Sequence, residues 1–152
     1  MPTPAYGKAV IAGFAATIVL SMLMMAKHVM GLMPQVNPVM DLALLFAHFT
    51  RSAPNMMMGW LMHFLLGSVV WGLAYAWLSP QLKGSPLVRG LMFAVMAWFA
   101  MMVLFMPLVG HGLFAMGYGM GVMPAMATLM LHLAYGAVLG LVYGHLTAAS
   151  GK

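Results

Sequence analysis

The chain has 152 residues, 64% of them hydrophobic and 5% charged, with a formal net charge of +5. Six Lys or Arg and one acidic side chain cannot cover the exterior of a water-soluble domain of this size. The absence of cysteine excludes disulfides, thiolate metal sites and iron–sulfur clusters, and a lone carboxylate leaves paired-carboxylate catalysis and carboxylate proton relays without their parts.

Residues 9–30 form the first apolar run. It exceeds the stretch of about 20 residues needed to cross a hydrocarbon core. It ends in Lys27-His28 rather than a small-residue cleavage site, so it reads as a transmembrane helix and not a signal peptide. Asn37-Pro38 then supplies a cap and a first-turn proline, with Asp41 suited to the first turn. A short helix over about 38–50 is expected, lying on or dipping into the outer membrane face. Further spanning helices are read at 57–78, 87–109 and 122–146. The Gly- and Met-rich segment 110–121 is expected to be re-entrant or closely packed.

Backbone groups in lipid must be satisfied within the protein, and these runs lack the two-residue alternation of a barrel. The fold class is therefore an all-α membrane protein, one domain over 1–152 with four transmembrane helices and a short interfacial helix. Lys8, Lys83, Arg89 and Lys152 fall on one side, against Lys27 and Arg51 on the other. Both termini are thus expected in the cytoplasm of a bacterial inner membrane. No glycine-rich phosphate loop is present, and no basic cluster suggests nucleic acid.

The chain reads as two pseudo-repeated hairpins. His63-x3-Gly67-Ser68-Val69 followed by Gly72-Leu73-x-Tyr75 aligns with His132-x3-Gly136-Ala137-Val138 followed by Gly140-Leu141-x-Tyr143, with one residue of slip between the glycines. Two such halves are related by an axis along the membrane normal, which sets the second and fourth helices face to face. Ser68 with Gly72, and Gly136 with Gly140 and Gly144, form the small-residue stripes expected to pack helices closely.

Several motifs resemble an uncharacterised family of small bacterial four-helix integral membrane proteins. They are Gly31-Leu32-Met33-Pro34, Gly59-Trp60 with His63-Phe64 and Trp71-Gly72, Met106-Pro107 with Gly112-Leu113-Phe114, and His132-Leu133-x-Tyr135-Gly136. The resemblance covers nearly the whole chain. It implies fold and location and carries over no activity.

His63 and His132 are the foremost candidate site. Each lies about two turns inside the outer helix end, roughly 10 Å at 1.5 Å per residue. Polar groups at that depth are costly unless partnered. Facing one another, they would bind haem b, with Lys27 or Arg51 on the propionates, or copper. His111 and the thioethers Met116, Met120 and Met123, which run at helical spacing with Met126 and Met130, would complete a copper site. The alternative is that both histidines only fix helix packing, and that the 21 methionines fill gaps. Asp41 stands seven residues before His48 on one helix face, as a dyad or as a helix-start carboxylate paired with Lys27 or Arg51.

No catalytic inventory is present. The expected function is a non-catalytic accessory or assembly subunit of a larger membrane complex, in contact with the lipid bilayer and with a protein partner or a second copy. A haem or copper transfer protein using His63 and His132 is the first alternative, and a small transporter the second.

Overall fold

The structure, a computed structural model, describes residues 4–149. Five helices follow one another: α1 (Tyr6–Val29), α2 (Pro38–Thr50), α3 (Met56–Gln81), α4 (Pro86–Leu108) and α5 (Met123–Ala148). All but α2 are long and apolar enough to cross a membrane, and no strand occurs among the described residues. Every end of the four long helices falls within three residues of its sequence boundary. Lys152, which entered the orientation count, lies outside the described residues.

The starts have local causes. Asn37 Oδ1 accepts from the Met40 amide at 3.2 Å with Pro38 in the first turn of α2, and Asn55 Oδ1 accepts from the Met57 amide at 2.8 Å to open α3. Ser85 Oγ accepts from the Val88 amide at 3.3 Å ahead of Pro86 in α4. Each satisfies an amide that has no partner inside its own helix.

Two helices are interrupted by a π turn, at Leu66–Val70 in α3 and Met101–Phe105 in α4. In the first, the Trp71 amide reaches back five residues to the Leu66 carbonyl. This wider turn absorbs the one-residue slip in the sequence. Gly67 and Gly72 are five residues apart, yet both face α1, one against Thr17 and the other against the Ala9 carbonyl. The second π turn precedes Pro107, whose ring would strike the carbonyl of Val103 in a regular helix and which cannot donate to it.

Packing follows the small residues. A Cβ on Gly90 of α4 would fall on the Gly136 carbonyl of α5, and one on Gly136 would fall on Gly90 and the Ala94 methyl. Gly140 and Gly144 lie against Pro86 in the same seam. On the other side, a Cβ on Gly13 of α1 would stand 2.7 Å from the Ser68 carbonyl of α3. The stripes thus close each hairpin on itself, α1 on α3 and α4 on α5. They do not close α3 on α5 as the sequence suggested. The reason is that a glycine on both faces gives the closest approach, and Gly90 and Gly13 supply the second face within the hairpins. α1 also packs along α5, with Tyr75, Phe93, Tyr135 and Leu139 in the shared core.

Gly136→Ala should cost about 1–3 kcal/mol, because its methyl meets backbone that cannot move aside. Gly7→Ala, with nothing near its Cβ position, should leave stability unchanged or raise it by about 0.5–1 kcal/mol. Thermal unfolding in detergent checks both.

Candidate functional site

α2 lies across the start of α3. Val39, Ala43 and Ala47 are buried, and Gly59 of α3 is pressed against the Val39 carbonyl. At this end of the bundle the long helices border a partly open cavity of about 260 Å³. Leu20 and Met24 of α1, Leu42 of α2, Met101 and Leu104 of α4, and Leu131 of α5 form much of its apolar wall. Both π turns border it, through Leu66 and Gly67 on one side and Met101 and Phe105 on the other.

Five hydrogen-bonding side chains on α3 and α5 line this space: His63, Trp71, Thr128, His132 and Tyr135. His63 Nε2 lies 3.1 Å from Ser21 Oγ, and Ser21 Oγ donates its single proton to the Thr17 carbonyl at 2.7 Å. The His63–Ser21 bond therefore runs from the ring to the hydroxyl, which places the proton on Nε2. His132 Nδ1 lies 2.8 Å from the Thr128 carbonyl, an acceptor only, so here the proton is on Nδ1. The Tyr135 hydroxyl donates at 2.6 Å to Gly67 O, the carbonyl that the π turn deprives of the Trp71 amide. This bond joins α5 to α3 directly.

The two histidines thus share a cavity without bonding to each other, each anchored through one nitrogen to a different partner. His111, Met116, Met120 and Met123 form no part of the cavity wall. Met116 and Met123 project outward, and the Gln35 side-chain amide meets the Met120 sulfur at 2.6 Å. Among the described residues no group of three or more His, Asp or Glu could hold a metal ion. Ser68, grouped with Gly72 as a packing residue, is buried against α1, and its hydroxyl has no hydrogen-bond partner.

Sequence reasoning missed a second cluster. Asp41 is buried and sits 2.9 Å from His111 Nε2, while the Tyr118 hydroxyl reaches its other oxygen at 3.4 Å. The His111 and Tyr118 rings stack with centroids 4.1 Å apart. Asp41 therefore pairs with neither His48, Lys27 nor Arg51. The Lys27 ammonium caps the Met33 and Val36 carbonyls instead, at 2.9 and 2.8 Å. The spacing of Asp41 and His48 on one helix face suggested a local partner, but the buried side of α2 turns Asp41 toward the segment after α4. That segment is closely packed, with Ala115 fully buried beside Met102, Met106 and Ala125. Phe114 and Ala115 hold φ of 52° and 58°, a left-handed conformation that side chains resist and that surrounding contacts must enforce. α2 contributes Pro38 and Leu42 to the cavity wall, so the Asp41 cluster latches the cavity's roof to the opposite loop.

Burial first, and the neighbouring Asp41 carboxylate second, hold the Tyr118 phenol well above its ordinary value. The folded chain favours the protonated phenol, so its contribution is complete below about pH 10 and declines as pH rises beyond that. Tyr118→Phe should lose about 1 kcal/mol at neutral pH and should flatten the alkaline arm of the stability curve. Asp41→Ala should cost more, about 1–3 kcal/mol, and should speed amide hydrogen exchange in α2 ahead of the rest of the bundle. Unfolding as a function of pH, and exchange read by mass spectrometry, check these outcomes.

No curated protein and no solved structure matches the chain. Residues 4–152 match the profile of a family of unknown function, DUF6789. The match spans nearly the whole sequence, and the chain belongs to that family.

Proposed function

We propose that this chain is a non-catalytic integral membrane protein that serves as an accessory component of a membrane complex by holding a small apolar molecule between its helices. The observation that carries the reading is the cavity, an apolar chamber with a few polar groups converging on it, as small-molecule sites generally have. The lone carboxylate is committed to His111 and Tyr118, which supports a binding role over catalysis. Large apolar side chains such as Ile11, Met22, Phe99 and Leu104 point outward along the long helices, as a lipid surface requires. Lys8, Lys83 and Arg89 at one end outnumber Lys27 and Arg51 at the other, which supports cytoplasmic termini and an extracytoplasmic α2. The matching roles of Gly67 and Gly72 in one hairpin, and of Gly136 and Gly140 in the other, support the two-hairpin reading.

Volume bounds the occupant. An apolar cavity of roughly 150 Å³ holds a benzene ring, so about 260 Å³ accommodates a body of one or two small rings. A porphyrin, with four pyrroles and their bridges, would require the helices to part. Protein purified in mild detergent and extracted with organic solvent should release one small molecule per chain by mass spectrometry. Ala100→Phe, which fills the chamber from α4, should release none while remaining folded. A native chain that carries nothing and takes up neither benzene nor naphthalene would overturn the proposal.

A second reading rests on Met24 and Met101, which line the same chamber as His63 and His132. Two thioethers and two imidazoles suit copper(I), a soft ion. On this reading, reconstitution under reducing conditions gives one copper per chain by elemental analysis, and the double variant Met24→Leu, Met101→Leu lowers that by at least half. An unchanged copper content in the double variant would rule these thioethers out.

A further inference from the structure

The protons inside the chamber are almost all spoken for. His63 Nε2–H is directed at Ser21, His132 Nδ1–H at the Thr128 carbonyl, and the Tyr135 hydroxyl at Gly67 O. The Thr128 hydroxyl is shared between the Pro124 and Ala125 carbonyls at 2.8 and 3.0 Å. The Trp71 indole N–H is the one donor left over. What remains on the histidines is lone pairs: in a neutral imidazole the nitrogen without the proton is an acceptor. No carboxylate lines the chamber to hold either ring in its charged form.

Those bare nitrogens, His63 Nδ1 and His132 Nε2, have no hydrogen bond among the described residues. Both nonetheless stand outside the set of sealed, unpartnered polar atoms, whose one member is Ser68 Oγ. They therefore border accessible space, and both rings line the chamber.

We infer that the chamber selects an apolar ring bearing hydroxyl donors, of the hydroquinone class, whose O–H groups meet His63 Nδ1 and His132 Nε2. This rests on the ligand-holding reading above and narrows it. Two acceptors on α3 and α5, in a wall whose one spare donor is the Trp71 indole, leave a donor-free ligand with two unmet imidazole lone pairs. The oxidised ring, with carbonyls in place of hydroxyls, sets acceptor against acceptor. The site thus discriminates by proton content between two molecules of nearly equal shape.

The test is titration calorimetry under argon in detergent micelles, with the Ala100→Phe variant as the blank for micelle partitioning. Hydroquinone should bind about tenfold tighter than 1,4-benzoquinone and than p-xylene, its methyl isostere. In His63→Ala and His132→Ala the preference over p-xylene should fall to about threefold or less. A hydroquinone carrying a ten-carbon tail separates the sources: tighter binding than the bare ring assigns a ligand drawn from the bilayer, and equal binding assigns a water-borne one. The comparison among ring compounds needs only the native chain, so it decides the question even where a variant fails to fold. If p-xylene or benzoquinone binds as tightly as hydroquinone, the donor requirement is wrong while the ligand-holding reading stands. If none of them binds, both are overturned.

Discussion

Backbone-to-backbone approach between helices is the constraint on which the rest of this structure depends. In an apolar surround, burying apolar side chains yields little, so helices associate through close van der Waals contact, and closeness requires that Cβ atoms be absent or small. Along α4 and α5 the contact is tight enough that a methyl on Gly90 or Gly136 would occupy the space of the facing backbone. α1 and α3 meet in the same manner at Gly13, Gly67 and Gly72. Toward α2 the facing residues become Met24, His63, Leu131 and His132, whose bulk props the helices apart. The cavity is the geometric counterpart of the seams: helices pinned close at one end and spaced at the other enclose a chamber where they diverge.

The divergent end is held by polar contacts instead. Asp41 is the chain's one acidic side chain, and it is spent on joining α2 to the segment after α4. A buried carboxylate is costly without partners, and His111 and Tyr118 supply them from one side as a stacked pair. The left-handed Phe114 and Ala115 place those two rings, with glycines at 110, 112, 119 and 121 taking the other positive φ values of this segment. Backbone strain, ring stacking and the Asp41–His111 hydrogen bond therefore form one unit, and its effect is to fix the roof of the chamber.

The sequence made the helices legible because length and hydropathy determine them with little help from tertiary structure. The cap at Asn37, followed by Pro38, was an equally local signal. Helix pairing was less accessible. A stripe such as Gly136, Gly140 and Gly144 declares that something approaches closely, and its partner is known only once Gly90 is recognised as the second face. The depth of His63 and His132 drew attention to them, and both line the chamber. Their partners, a serine on α1 and a carbonyl four residues back, depend on ring orientations that no spacing encodes. Asp41 was misjudged for the same reason: its partner lies 70 residues away, across a loop whose path rests on positive φ at two residues that are not glycine.

The π turn in α3 has a further implication. One residue of a regular helix advances the azimuth by about 100°, so an extra residue would rotate everything beyond it, and the wider π turn takes up that rotation. Gly72 and the segment toward Gln81 have their orientation set by α1, whereas His63 lies on the far side of the insertion. The single supernumerary residue therefore acts as a phase setting, aiming the imidazole at Ser21 and the chamber while the remainder of the helix keeps its seam. In α5, where Gly136 and Gly140 are spaced without that residue, His132 meets the same chamber from an unmodified helix. The two imidazoles thus reach one chamber tethered through different nitrogens, Nε2 on His63 and Nδ1 on His132.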